Sequence, residues 1–183
     1  VWSIKVLIYK SNEQPSVSLY YRENMRLFIG IGLESINAKI EKIKNYLYEN
    51  GIRGNYTLKT NNHLTLAFIG EETRLEELNK IIASLDNIKP KKLIITKVKP
   101  IRNMLVLELE QTDELLTYVK MLREKLSEGN FNYDKKPFVP HITLVREINK
   151  NVIMDSYQEV EVSKITLFES KRINGRLIYE EKN

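Results

Sequence analysis

The chain contains no cysteine, so it has neither a disulfide framework nor a thiolate metal site. It also lacks any apolar run approaching the roughly eighteen residues that a membrane-spanning helix needs. The apolar stretch 2–9 is short, carries Lys5 and has no small-residue cleavage site, which makes it a poor signal peptide. These absences predict a cytoplasmic protein without a membrane partner.

The composition is that of an ordinary globular protein. Of 183 residues, 42% are hydrophobic and 29% are charged, and this length suffices for one domain or two small lobes with a buried core. The formal net charge of +5 modestly favours a polyanionic partner.

Histidine is almost absent too, and the two copies present share one tetrapeptide pattern. They are His63, in HLTL, and His141, in HITL, 78 residues apart. Because histidine exchanges protons near neutral pH, a matched pair indicates one acid and one base acting on a single bond. A zinc site is not expected, since it usually takes three or four protein ligands and the chain has no further histidine.

The first half of the chain alternates strand and helix patterns. Residues 26–33 (RLFIGIGL) have strand composition, and Ser35 and Thr73 are candidate N-caps of the helices. The predicted order is strand, helix, strand, helix, strand, over residues 26–33, 35–49, 63–69, 74–85 and 91–98.

The second half repeats this order, with Thr112 as helix cap. The predicted elements are a strand over 104–110, a helix over 112–128, a strand over 141–145, a weakly helical stretch near 149–157, and strands over 159–169 and 175–180. The opening strands, at Arg26 and Met104, are 78 residues apart, as the histidines are. Equal spacing predicts an internal duplication with two similar α+β lobes.

Residues 1–24 precede the repeat and have no counterpart in it. We expect one bilobal domain over 25–183, with lobes of about 25–100 and 101–183, and a leader or accessory segment over 1–24.

Each H-x-T pair places a histidine and a threonine on the same face of a strand, because side chains alternate between faces. Bringing the two faces together predicts a cleft that holds His63, Thr65, His141 and Thr143. That set suits a phosphodiester: hydroxyls donate to the phosphate oxygens, one imidazole deprotonates the nucleophile and the other protonates the leaving oxygen. No metal and no cofactor is required.

The chain resembles the 2H phosphoesterases, and among them the bacterial and archaeal RNA 2′,3′-cyclic phosphodiesterases, also known as 2′–5′ RNA ligases. The resemblance covers residues 25–181 and includes the segments NNHLTLAFIG (61–70), KPFVPHITLVRE (136–147) and KITLFESKRINGRLIYEE (164–181). It implies an α+β fold of two pseudo-symmetric lobes, with antiparallel sheets around a central cleft. It also implies hydrolysis of an RNA 2′,3′-cyclic phosphate to a 2′-phosphate.

The resemblance further implies a role for each site residue. His63 becomes the proton donor, His141 the proton acceptor, and Thr65 and Thr143 the phosphate ligands; from the residues alone the two histidine roles are interchangeable. Arg146 matches a family arginine that is a candidate phosphate contact, but strict alternation turns it away from His141 unless the strand ends or bulges near Val145.

Several alternatives stay open. Alternation places Phe68 opposite His63, which favours core packing. The basic segment 89–102 (KPKKLIITKVKPIR) is either a solvated strand face, which we favour, or a contact for an RNA backbone. Besides the cyclic phosphodiesterase, other 2H activities are open: cleavage of a 2′–5′ oligonucleotide or a cyclic nucleotide, or 2′–5′ RNA ligation. A non-catalytic RNA-binding module is open as well. Nothing in the sequence demands more than a monomer.

Overall fold

The computed structural model describes residues 24–182, so the predicted leader or accessory segment, 1–24, lies almost wholly outside the described residues. In chain order the elements are β1 (Met25–Gly32), α1 (Asn37–Glu49), β2 (Asn55–Tyr56), β3 (His63–Glu72), α2 (Leu75–Ser84), β4 (Lys92–Ile101), β5 (Met104–Leu109), α3 (Asp113–Glu128), β6 (His141–Arg146), β7 (Met154–Glu161), β8 (Thr166–Ile173) and β9 (Arg176–Glu181).

The strands form two antiparallel sheets. The first has the order β3-β1-β8-β9 and the second has the order β2-β6-β5-β4-β7. In each half, the histidine strand pairs with the opening strand of that half, β3 with β1 and β6 with β5. The predicted α+β fold with two antiparallel sheets is confirmed.

The sheets do not follow the predicted division into 25–100 and 101–183. Strand β4 of the first half pairs with β5, and strand β8 of the second half pairs with β1, so the halves exchange strands. The exchange of β4 has a local cause: a turn of only two residues, Arg102 and Asn103, joins β4 to β5 and keeps them adjacent as a hairpin.

Residues 149–157 were predicted to be weakly helical, and this prediction was wrong. Strand β7 begins at Met154, pairs with β4 and alternates between exposed and covered side chains. It is an edge strand with a strongly polar outer face, which hides the alternation in the sequence. The single strand predicted over 159–169 is likewise two strands, β7 and β8, in different sheets.

Of the three predicted caps, the structure confirms one. The Thr112 hydroxyl accepts a hydrogen bond from the backbone N–H of Leu115 at 3.3 Å, which caps α3. No side chain caps α2, which begins at Leu75, so Thr73 is not its cap; the Glu72 carboxylate accepts from the backbone N–H of Thr73 at 2.8 Å, before the helix begins. Ser35 lies inside a 3₁₀ turn before α1 and caps nothing.

Apolar side chains on each strand pack into a core beneath the helices. Helix α1 contacts β6 of the second sheet, while α2 and α3 contact β8 and β3 of the first. Leu64 of β3 and Ile142 of β6 are both fully buried, so the opposite faces of these strands carry the polar side chains. No helix within residues 24–182 is both long enough and apolar enough to span a membrane.

Candidate active site

The two H-x-T pairs meet in one cleft. His63 and Thr65 lie at the beginning of β3, His141 and Thr143 lie at the beginning of β6, and the two strands contact each other. All four side chains line a cleft of about 480 Å³. The structure therefore brings together the four residues that the sequence patterns predicted to meet.

A β-bulge behind Thr65 changes which face of β3 the later residues occupy. Strand β3 has an extra residue, Leu66, between Thr65 and Ala67 relative to β1, and a second one, Ile69, after Phe68; Leu66 and Ala67 are both buried instead of alternating. Phe68 therefore returns to the face of His63 and lines the cleft. The prediction that Phe68 packs in the core was wrong, because it assumed strict alternation.

Strand β6 has a bulge at the equivalent place. The extra residue is Leu144, and Leu144 and Val145 are both fully buried. Because the strand bulges next to Val145, Arg146 lies on the same face as His141 and lines the cleft. Its guanidinium also donates to the Met104 sulfur at 2.9 Å.

Hydrogen bonds fix the orientation and tautomer of His63. The Nδ1–H donates to the backbone carbonyl of Asn61 at 2.7 Å, so in the neutral ring Nε2 is the acceptor. The Thr65 hydroxyl lies 2.9 Å from this Nε2 and donates to it. The reactive nitrogen of His63 is therefore beside the threonine of its own motif.

His63 is held in its neutral form in the unliganded cleft. Burial, together with the nearby positive charges of Arg146 and His141, lowers the pKa of His63 to about 4, against the opposing hydrogen bond to the Asn61 carbonyl. Much of the covering surface is aromatic: the rings of Phe28 and Tyr179 each lie 4.8 Å from the imidazole, centroid to centroid.

His141 has the same backbone contact in a more open setting. Its Nδ1–H donates to the carbonyl oxygen of Val139 at 2.7 Å, two residues earlier, as His63 does to Asn61. Nε2 is again the acceptor nitrogen of the neutral ring. The two histidines thus present the same nitrogen, His63 from a part-buried ring and His141 from a more exposed one.

The cleft is positively charged. Arg26, Arg146, Lys171 and Arg172 line it, and within residues 24–182 no carboxylate does. An anionic group is therefore favoured between the two imidazoles. In the same part of the chain, no group of three or more His, Asp and Glu side chains is arranged to hold a metal ion.

Two residues that sequence reasoning missed shape this site. Tyr179 lies on β9, and burial raises the pKa of its hydroxyl while nearby Arg146 and Arg26 oppose the rise. Asn61 is 4% exposed; its side chain donates to the Leu177 carbonyl at 2.8 Å and accepts from the Tyr179 N–H at 3.2 Å. Asn61 therefore joins His63 to β9. The only signal in the sequence was the polar pair NN directly before His63.

A buried lysine on α1 holds the segment that directly precedes His63. Lys44 of α1 is 3% exposed and donates to the Glu41 carboxylate at 2.8 Å, the Thr57 carbonyl at 2.7 Å and the Asn62 side-chain oxygen at 2.8 Å. Burial lowers the pKa of Lys44, while Glu41 opposes the shift. Each of the three ammonium N–H groups of Lys44 thus has an acceptor, and these bonds connect α1 to Asn62, the residue that precedes His63.

Several lysines of the basic segment 89–102 have acidic partners on the neighbouring strands. Lys97 and Lys99 both pair with Glu108 on β5, and Lys92 pairs with Glu159 on β7 at 3.0 Å. This arrangement agrees with the solvated strand face that we favoured over a contact for RNA.

The fold and the paired H-x-T strands define a phosphoesterase of the 2H class. A family model described as LigT like Phosphoesterase matches residues 107–179. An RNA 2′,3′-cyclic phosphodiesterase of Thermotoga maritima is 31% identical over 131 residues, which cover 67% of this chain and 70% of that protein. The chain belongs to the LigT-like phosphoesterase family.

Solved structures share the fold. E. coli LigT in its apo form superposes with a TM-score of 0.71 at 25% identity, covering 88% of this chain and 96% of LigT. The protein TT0787 of Thermus thermophilus gives a TM-score of 0.72 at 20% identity, covering 87% of this chain and 96% of that one. A further LigT structure contains 3′-AMP and matches with a TM-score of 0.68 at 25% identity, covering 88% and 96%.

Proposed function

We propose that this protein hydrolyses RNA 2′,3′-cyclic phosphate ends to 2′-phosphates, without a metal, by paired histidine acid–base catalysis. The observation that carries the proposal is that His63 and His141 line one cleft, each with Nδ1–H bonded to a backbone carbonyl 2.7 Å away. Such bonds leave both Nε2 atoms for proton transfer. The Thermotoga maritima relative, an RNA 2′,3′-cyclic phosphodiesterase by name, supports the choice of substrate.

In the proposed reaction, His141 Nε2 takes a proton from water as the water oxygen attacks the phosphorus. The bond from phosphorus to the ribose 3′ oxygen breaks, and protonated His63 gives its Nε2 proton to that oxygen. The products are a 2′-phosphate and a 3′-hydroxyl. This assignment of acid and base follows the family resemblance.

Thr65, Thr143 and Arg146 stabilise the phosphate in this proposal. Two hydroxyls and a guanidinium donate to its non-bridging oxygens, where negative charge increases in the transition state. The Thr65 hydroxyl, which donates to neutral His63 Nε2 in the unliganded cleft, becomes available when that nitrogen is protonated.

The low pKa of His63 makes its protonation depend on the substrate. In the free protein, burial is the main cause of the low pKa of His63, and Arg146 and His141 also oppose a positive charge on it. A bound phosphate monoanion offsets these charges and raises the pKa of His63. We therefore expect His63 to take up its proton as the substrate binds.

The test is to incubate the protein, in EDTA, with a short RNA that ends in a 2′,3′-cyclic phosphate, and to resolve 2′- from 3′-phosphate products. Accumulation of the 2′-phosphate supports the proposal. A 3′-phosphate contradicts the assigned leaving group, and activity that EDTA abolishes contradicts the metal-independent chemistry. RNA binding without turnover of this end would instead indicate a binding module or another 2H substrate.

A further inference from the structure

The catalytic cleft continues into a second groove between the two sheets. This groove, of about 660 Å³, shares His63, Thr143 and Arg146 with the catalytic part. From there it runs between residues 55–58, at β2, and residues 175–177, at the start of β9. We call it the hairpin groove, because the β8–β9 hairpin forms one of its walls. A polymer whose end lies at the histidines has a path out of the cleft along it.

Within the described part of the chain, the cations of the hairpin groove have no carboxylate partner. Arg146, Arg172 and Arg176 line it, and among the described residues no carboxylate lies within 4.0 Å of these guanidinium groups. Its one lining carboxylate, Glu147, accepts a hydrogen bond from the Asn55 side chain. Guanidinium groups without acidic partners are available to bind phosphate.

The groove is set apart by the number of such arginines in one place. Within residues 24–182 other arginines, Arg26 and Arg102 among them, also have no carboxylate within 4.0 Å, whereas several lysines are paired, as Lys171 is with Glu180 at 2.6 Å. Three guanidinium groups without a carboxylate partner line the hairpin groove together. This concentration of positive charge is a reason to assign the groove to an anionic partner.

The hairpin turn gives Arg172 and Arg176 fixed backbone positions. Asn174 and Gly175 both have positive φ, 50° and 78°, as a two-residue turn between antiparallel strands requires. Asn61 then bonds to the backbone of Leu177 and Tyr179, which attaches β9 to the segment carrying His63. The two arginines are therefore positioned relative to the reacting end.

Flat apolar surface accompanies the charges. The rings of Tyr56 and Tyr179 and the side chain of Leu58, which is 37% exposed, line the same groove. Aromatic rings that alternate with cations along a groove bind single-stranded nucleic acid by base stacking and phosphate contacts, without selecting a sequence.

We infer that the hairpin groove binds the RNA strand upstream of the cyclic phosphate, with Arg172 and Arg176 contacting backbone phosphates. The inference rests on the proposed function and specifies its substrate class: the preferred substrate is an oligonucleotide and not a nucleoside 2′,3′-cyclic monophosphate. Specificity then comes from strand length and not from the identity of the bases.

The experiment compares kcat/KM for a hexaribonucleotide ending in a 2′,3′-cyclic phosphate with kcat/KM for a nucleoside 2′,3′-cyclic monophosphate. Each charge-assisted contact contributes a factor of about ten or more, so Arg176→Gln is expected to lower the hexamer-to-monomer ratio about tenfold. Arg172 also lines the catalytic part, so Arg172→Gln lowers both values but lowers the hexamer value more. In wild type, the salt dependence of log(kcat/KM) is steeper for the hexamer by about 1.4, at about 0.7 for each phosphate contacted.

The control is Lys42→Gln/Lys120→Gln, which removes two positive charges from exposed positions on α1 and α3 and should leave the ratio unchanged. A second readout, the fluorescence anisotropy of a 5′-labelled hexaribonucleotide with an unreactive 3′-phosphate, needs no turnover. Weaker binding by Arg172→Gln/Arg176→Gln than by the control supports the groove even if the proposed reaction fails. Equal losses on hexamer and monomer, or hexamer binding equal to that of the control, would overturn the inference.

Discussion

Phe68 and Arg146 occupy equivalent positions in the two halves of the chain, and both face the cleft. They are 78 residues apart, as His63 and His141 are, and each follows a bulge that makes two consecutive residues buried. The repeat therefore includes the irregularity of the strands as well as their sequence. The first half has the phenyl ring of Phe68 at this position, and the second half has the guanidinium group of Arg146.

Because Arg146 faces the cleft, removal of its positive charge should lower the activity. Arg146→Gln is expected to lower kcat/KM for a cyclic phosphate end roughly tenfold or more, because a charge-assisted hydrogen bond contributes about 1.5–3 kcal/mol. The measurement is steady-state kinetics on one RNA substrate. Arg102→Gln, in the β4–β5 turn, is the control; similar losses in both variants would show that only overall charge matters.

The threonines are expected to act through their hydroxyls. Valine keeps the shape of threonine but cannot donate, so Thr65→Val and Thr143→Val should each lower kcat/KM by about tenfold or more without a large loss of stability. Kinetics and thermal unfolding check this, with Thr117→Val on α3 as the control. If activity stays at the wild-type level in both variants, the threonines do not bind the phosphate.

The imidazole of His63 should stay neutral in the free protein at pH values where an ordinary histidine is protonated. Because burial and nearby positive charges lower the pKa of His63 to about 4, its imidazole should be neutral at pH 6, and inorganic phosphate should raise its midpoint. With two histidines in the chain, NMR of the ring protons follows the His63 titration, and His63→Gln assigns its signals. A His63 midpoint near its ordinary value, unmoved by phosphate, would contradict this account of the cleft.

The same pKa shift determines how stability depends on pH. Since His63 binds its proton more weakly in the folded state, its contribution is fully present above about pH 6.5 and is lost as the pH falls towards 4. At pH 5 the loss is about 2 kcal/mol, from the difference between pKa values of about 4 and 6.5. Urea unfolding at pH 7 and pH 5 should show this component in wild type and not in His63→Gln.

Much of the site could be predicted from the sequence because its signals were local. Strand alternation and the repeated H-x-T pattern placed four side chains on two faces, and duplication predicted that these faces meet. The bulges could not be predicted, because register depends on the partner strand. Asn61 and Tyr179 were missed for a related reason: they are 118 residues apart and meet only when β9 joins the first sheet. Strand β7 was missed because its polar face hides its alternation.

Replacement of the buried Lys44 should lower both the stability and the activity of the protein, an effect that the sequence pattern did not suggest. Lys44→Met removes the donor to the Thr57 carbonyl and the Asn62 side chain, and each buried acceptor left without a partner costs about 1–3 kcal/mol. We expect a lower free energy of unfolding and a lower kcat, because Asn62 directly precedes His63. Lys42→Met, exposed on the same helix, is the control, and equal stability of the two variants would contradict this role.

In the proposed reaction one imidazole takes a proton from water and the other gives a proton to the leaving oxygen, and single histidine variants test this most directly. Turnover of an RNA 2′,3′-cyclic phosphate and affinity for the same RNA should be measured for wild type, His63→Ala and His141→Ala. The account predicts that each variant loses turnover by roughly 10²–10⁴-fold, as expected for a positioned acid or base, while the affinity for RNA changes little. Full turnover in either folded variant would contradict the paired mechanism.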